Sequence, residues 1–215
     1  GTEPVVVKVR LSDWTLSEDG ALDLVPAGTT PASLLGKVQF EPHEFSLGAG
    51  ESGQIHLTLT MPADGPATRW GVLLSEIRPA VVRTAGFGPR AIAELGTTLY
   101  LSRNAASQIR PEVTALDVRP VGGDSLSVTL RVRNAGERHF YVAGDIALAD
   151  SSSSPVRKGP FGSGVVLPGG VRNFTWMSHA GLAPGRYLAT ATIDTGEPEL
   201  TVGETVFVWP IPRTT

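Results

Sequence analysis

From Ser125 to Asn134 the sequence reads SLSVTLRVRN, with Leu126, Val128, Leu130 and Val132 on every second position. A period of two puts these four side chains on one face of an extended strand and the Ser, Thr and Arg residues between them on the other, whereas a helix would scatter them round its axis. A chain with such a segment must build a sheet that buries one face. The same alternation recurs in Val5, Val7, Val9 and Leu11, in Ile55, Leu57 and Leu59, and along RAIAELGTTLYLSR, where Ala91, Ala93, Leu95, Thr97, Leu99 and Leu101 share a side. Turn signals punctuate these runs at Asn134-Ala135-Gly136, Pro168-Gly169-Gly170, Pro184-Gly185 and Thr195-Gly196. With 25 Gly and 17 Pro, the composition favours short strands joined by tight turns, and the expected class is all-β.

A chain of 215 residues has room for two domains of roughly 100 residues each. Over 107–215, strands are expected at Val113–Val118, Leu126–Val132, Phe140–Ala149, a weaker pair around Val156 and Val165, Val171–Met177, Tyr187–Asp194 and Leu200–Trp209. That spacing predicts a seven-stranded immunoglobulin-like β-sandwich. Over 1–106 the reading is a strand at Pro4–Leu11, then an irregular excursion over Ser12–Pro31 with Trp14 packed beneath it and a short edge strand at Ala21–Val25. Leu34–Phe45 alternates until Pro42, Thr68–Arg78 is apolar enough for a central strand buried on both faces, and Ala91–Leu101 closes the domain.

The halves can be laid over each other. GTEPVVVKVRL matches NAGERHFYVAGDIAL, SLGAGESGQIHLTLTMP matches VVLPGGVRNFTWM, and MPADGPATRWGVLLSEI matches AGLAPGRYLATATI. In this register Gly1 falls in the turn after a second strand. The expected architecture is therefore two tandem immunoglobulin-like β-sandwich domains, the first lacking its first two strands, the equivalents of Val113–Val118 and Ser125–Asn134.

Charge and chemistry narrow the function. The net charge of -3 contains no basic cluster, so the electrostatic footprint of a nucleic-acid binder is missing. There is no Cys, hence no disulfide, thiolate metal site or cysteine nucleophile, and no apolar run approaches the ~18 residues of a membrane span. His43, His56, His139 and His179 are scattered without H-x-x-x-H spacing. Asp13, Asp19 and Asp23, with Glu18, do not follow a calcium-loop spacing and read as a solvated turn. Neither a G-x-S-x-G elbow nor a Gly-rich strand-to-helix turn occurs. No catalytic residue, cofactor or metal is assigned, and a non-enzymatic protein is expected. Trp70 and Trp209 read as packing residues, and the Asn173-Phe174-Thr175 glycosylation pattern lies inside a strand, with Phe174 and Trp176 on one face.

Two stretches, VQFEPHEFSLGAGESGQIHLTLTMPADGPATRWGVLLSEIRP and AIAELGTTLYLSR, resemble the N-terminal domain of periplasmic pilus-assembly chaperones of the PapD-like group. Pro42, Phe45, Leu47, Gly50, Gln54, Arg69, Glu76 and Pro79 carry the likeness, which covers about half the chain; the second half reads as a generic bacterial Ig-like domain. The resemblance implies a periplasmic or cell-surface protein that binds a protein partner by β-strand addition. In that group the last strand of the first domain completes a pilin that lacks a strand. Here Ala93 and Thr97 are small and Ala91–Leu101 has no Lys, so this segment reads as the wall of a site beside Val5–Leu11 and Ile55–Leu59. The partner-binding residues expected are Val5, Val7, Val9, Ile55, Leu57, Leu59, Leu95, Leu99 and Leu101. Strand exchange would give a homodimer. The alternatives are a structural or adhesive spacer of a larger surface protein, and a carbohydrate-binding accessory domain using Trp14 and Tyr100.

Overall fold

The structure, a computed structural model, describes residues 1–80, 92–103, 109–122, 124–179, 181–198 and 200–210. Arg90, Ala91, Gly123, most of the loop expected before Pro89 and the start of the linker after Arg103 lie outside these residues. The described residues form fifteen strands and no helix, as the alternation requires. The chain divides into two compact units, one of Gly1–Thr15 and Leu22–Ala105, the other of Leu16–Ala21 and Ala106–Thr215.

The first unit contains β1 (Val5–Leu16), β2 (Leu22–Pro26), β3 (Val38–Glu41), β4 (Glu44–Leu47), β5 (His56–Leu59), β6 (Thr68–Pro79) and β7 (Ala93–Ser102). One sheet has the order β2-β1-β6-β7, with β4 also pairing β1, and β3 and β5 make a separate two-stranded sheet. In β6 the consecutive residues Val72, Leu73 and Leu74 are all buried, which is what a strand covered on both faces needs. Val7, Val9 and Leu73 form a small core against which Val5, Phe40, Ile55, Ile77 and Leu99 pack.

β1 does not stop at Leu11. Residues 12–16, expected to begin an irregular excursion, continue the strand, and Ser12, Asp13 and Trp14 are buried. The Trp14 indole N–H donates to Gly71 O on β6 at 3.2 Å and the Ser12 hydroxyl to Val25 O on β2 at 2.7 Å, so both neighbours hold the extension. The Asp13 carboxylate is neither a solvated turn nor a calcium ligand. It accepts hydrogen bonds from the Thr30 amide (2.9 Å), the Gly28 amide (3.1 Å), the Thr30 hydroxyl (3.1 Å) and the Ser33 hydroxyl (2.7 Å), and so fixes the turn after β2.

The second unit contains β8 (Pro111–Gly122), β9 (Ser125–Asn134), β10 (Phe140–Ala149), β11 (Pro155–Pro160), β12 (Gly164–Val166), β13 (Val171–His179), β14 (Gly185–Asp194) and β15 (Thr201–Trp209). There are eight strands rather than seven, because the weaker pair expected around Val156 and Val165 forms two separate strands, β11 and the three-residue β12, both pairing β10. The sheets are β13-β9-β8 and β11-β10-β14-β15, the strand order of an immunoglobulin-like sandwich. Leu126, Val128, Leu130 and Val132 are fully buried in one core with Ile146, Leu148 and Ile193 of the facing sheet. Tyr187, at the start of β14, closes one corner by donating its hydroxyl hydrogen to Ala183 O at 2.8 Å.

The connectivity repeats. β1 pairs β6, which pairs β7, just as β10 pairs β14 and β14 pairs β15; β2 and β4 flank β1 as β11 and β12 flank β10. β5 precedes β6 as β13 precedes β14. In the second unit β13 pairs β9 and β9 pairs β8, while among the described residues no strand of the first unit stands where β9 and β8 would.

Candidate strand-acceptor edges of the first unit

In an antiparallel ladder successive residues direct their N–H and C=O to opposite edges. The Thr60 amide donates to Lys37 O at 2.8 Å, next to the register Val38↔Leu59 through Glu41↔His56. Thr58 and His56 therefore turn their backbone groups toward β3. Leu57 and Leu59 turn theirs to the opposite edge, where no described strand pairs. The same reasoning applies to β7. The Arg103 amide donates to Ala67 O at 2.8 Å, so Leu95, Thr97, Leu99 and Leu101 face β6 with their backbone, while Glu94, Gly96 and Thr98 direct theirs to the outer edge.

The side chains beside these edges are apolar and open to solvent. Leu57 and Leu59 are each 41% exposed and Leu95 60%, whereas Leu99 and Leu101 are half-buried. From Ala93 to Thr98, β7 is exposed on both faces, so it is not the covered closing strand that its small, alternating inner residues suggested. The outward face of the same sheet carries charges at Arg10, Glu76 and Glu94 beside the buried Val72 and Leu74. Arg10 Nη2 lies 2.8 Å from Glu94 Oε1, and a hydrogen bond from Arg78 holds the Glu76 carboxyl below its ordinary value. Leu57, Leu59 and Leu95 thus stand exposed beside edges that no described strand pairs.

The expected site is only partly assembled. Val7 and Val9 are buried, Val5 is half-buried, and β1 is hydrogen-bonded by β6 on one side and β4 on the other over Val5–Lys8. The opening expected beside Val5–Leu11 is closed because β1 is a central strand. Ile55 and Leu99 pack on the same core cluster, while Leu57, Leu59 and Leu95 remain available. Trp14 is 1% exposed, with its ring edge against Tyr100 at 6.0 Å between centroids, and offers no face to a sugar.

Other polar groups are structural where their contacts are seen. His179 Nδ1 lies 2.9 Å from Ser125 Oγ, a cross-strand pair at the ends of β13 and β9. Burial holds the His139 imidazole below its ordinary value, helped by the Arg138 charge. His43 and His56 line a shallow groove with Phe40 and Glu41, yet no three described His, Asp or Glu residues converge as a metal site. The buried Asp13 cluster was not legible in sequence, because its donors lie 15 to 20 residues downstream. The Tyr187 corner had a usable signal in the Pro184-Gly185-Arg186-Tyr187 turn.

No family model matches the sequence, and no curated protein matches it. Among solved structures the chain is similar to the class 5 fimbriae chaperone CfaA, at 15% identity over 97% of this chain and 87% of that one, with a TM-score of 0.47. It is similar to the YadV chaperone at 13% identity, covering 96% and 87% of the two chains with a TM-score of 0.46. A third likeness is to the CsuC-CsuE chaperone-tip adhesion subunit pre-assembly complex from the archaic chaperone-usher Csu pili of Acinetobacter baumannii, at 15% identity, 95% and 86% coverage and a TM-score of 0.46. These proteins are of the kind that the first-half sequence resembles.

Proposed function

We propose that this chain is a non-enzymatic, extracytoplasmic protein-binding module with a chaperone-like role in assembling pili or another surface structure. The observation that carries the reading is the outer edge of β7, which no described strand pairs and which Leu95, 60% exposed, borders. Open edges beside apolar side chains are what strand addition uses, with the backbone supplying affinity and alternate side chains selecting the segment. The first-half sequence resemblance supplies the class of partner, a surface-structure subunit short of one strand.

The test is capture of such a subunit. The purified chain is mixed with an aggregation-prone, strand-deficient β-sandwich subunit, and the product is sized by light scattering. A soluble one-to-one complex is expected, and Thr98→Pro, which removes an amide on the outer edge of β7, abolishes it. A chain that neither delays aggregation nor forms a complex refutes the reading and favours the spacer alternative. A dimer of the chain alone, dissolved by the same substitution, would instead point to strand exchange between copies.

A further inference from the structure

The outer face of the sheet β11-β10-β14-β15 carries apolar surface that its sandwich does not use. Along β15 the inward side includes the buried Gly203 and Trp209, and the alternate residues Val202, Glu204, Val206 and Val208 turn out to solvent. The three valines are 53%, 50% and 54% exposed. The register carries this surface across the sheet, with Val206 opposite Leu188 and Leu188 opposite Ala149. β10 and β14 already give their other face to the core of the second unit, through Ile146, Leu148, Ala189 and Ile193.

The charges on the outer face stand in a symmetric order. β14 has Arg186 at one end and Asp194 at the other, both exposed, with Leu188, Thr190 and Thr192 between them on the same side. Thr190 is the midpoint, opposite Ala147 on one neighbour and Glu204 on the other. At the far side of the face Lys158 Nζ and Asp145 Oδ2 neutralise each other at 3.1 Å. Two identical chains that close on one another need a patch that complements itself about a twofold axis. An axis running across the strands at Thr190 meets that need. It sets Arg186 of each copy over Asp194 of the other, and Val206 of each over Val202 of the other.

We propose that this face packs on the same face of a second copy of the chain, sheet on sheet, about that axis. The contact uses no edge of the first unit and does not depend on the partner proposed for it. Four strands ~4.8 Å apart and about nine residues long at ~3.3 Å each give a footprint of roughly 570 Å² per copy. The total of about 1,100 Å² lies at the low end of specific interfaces. Burial of the valines drives association, and the Arg186 and Asp194 pairs fix its direction. Glu204 lies on the axis and meets its own copy, like charge on like charge, which keeps the dimer weak and reversible.

Sedimentation equilibrium of the full chain over roughly 1 μM to 1 mM is the test. A monomer–dimer equilibrium is expected, with the NMR methyl resonances of Val202, Val206 and Val208 shifting with concentration while those of the buried Val128 and Val132 stay fixed. Arg186→Asp and Asp194→Arg each weaken the dimer about tenfold or more, and the double variant returns it to within about threefold of wild type. Glu204→Gln tightens it, and Thr98→Pro, on the uninvolved β7, leaves it unchanged. Asp194 Oδ1 also accepts from the Gly196 amide at 2.7 Å, so if Asp194→Arg fails to fold, Arg186→Asp and the wild-type methyl shifts decide.

A chain that stays monomeric across the range with fixed valine methyls overturns the proposal. So does a dimer indifferent to Arg186→Asp, one that a folded double variant fails to restore, or one that Thr98→Pro dissolves. Valine methyl shifts that appear only when a strand-deficient subunit is added give the face to that subunit and overturn it too. Failure of subunit capture with the dimer intact removes the proposed function and leaves this contact standing.

Discussion

Replacing Asp13 tests the most concentrated set of polar contacts in the first unit. Its carboxylate is fully buried and accepts four hydrogen bonds, two from backbone amides and two from hydroxyls. Asp13→Ala leaves the Thr30 amide and the Ser33 hydroxyl without their acceptor, while the Gly28 amide keeps its second bond to Ser33 Oγ at 2.9 Å. At about 1–3 kcal/mol for each buried donor left unsatisfied, the loss comes to roughly 3–5 kcal/mol. Asp13→Asn keeps the shape, but either amide orientation is wrong. Its NH2 faces either the Gly28 and Thr30 donors or Ser33 Oγ, which already accepts from the Gly28 and Leu35 amides. About 2 kcal/mol is expected for it, between the alanine variant and wild type.

Because the chain has two units, a single unfolding transition is the wrong readout, and native-state hydrogen exchange separates them. The amides of Val72, Leu73 and Leu74 in β6 should lose protection by the amounts given, while that of Leu130 in β9 stays unchanged. Asp23→Asn, at an exposed carboxylate in β2, should move neither by more than about 0.5 kcal/mol. A loss under about 1 kcal/mol at β6 in Asp13→Ala would refute the claim that this cluster holds the β1 extension and the turn after β2.

Three further outcomes follow from the same contacts. Tyr187→Phe deletes the bond to Ala183 O and should cost about 1 kcal/mol, read as lost exchange protection in β14. Leu130→Ala, at 0% exposure, should cost about 2–5 kcal/mol in the second unit by leaving a cavity, whereas Leu95→Ala, at 60% exposure, should stay within about 0.5 kcal/mol in chemical denaturation. Hydrogen bonds from the Ser152 side chain, and from the Ser154 and Ser152 amides, hold the Asp150 carboxyl below its ordinary value. A carboxyl lowered by folding supports the fold above its unfolded pKa and withdraws that support as pH falls through the folded value. Titration by NMR should find Asp150 ionising below ordinary aspartates, and Ser152→Ala should move it upward.

The parts of the fold that sequence made legible are those where one strand carries its own evidence. The four aliphatics of β9 and the run Val72-Leu73-Leu74 announce one-face and two-face burial by spacing alone. What spacing cannot give is which neighbour covers a face. Val7 and Val9 alternate like residues of an accessible wall, yet β4 and β6 enclose their strand on both sides. Leu57 and Leu95 alternate in the same way and remain uncovered. Asp13 was misread for a related reason: in one dimension it sits among turn formers, and only the return of Gly28, Thr30 and Ser33 makes a buried carboxylate stable there. Edge or centre is a property of pairing, and pairing is settled far from the residue it concerns.

The unequal cores set an order of failure. Among the described residues the first unit buries nine apolar side chains, Trp14, Leu34 and Val72 among them, while the second buries a cluster of eighteen that runs through both of its sheets. Stability scales with the apolar surface withdrawn from water, so the two do not share one melting point. Under rising urea or limited proteolysis the first unit opens while the second keeps its fold, and a trimmed fragment bounded by β8 and β15 is the species that persists. The unit proposed to bind a partner is thus also the one with least stability in reserve, and an occupied edge would register first as a delay in its digestion.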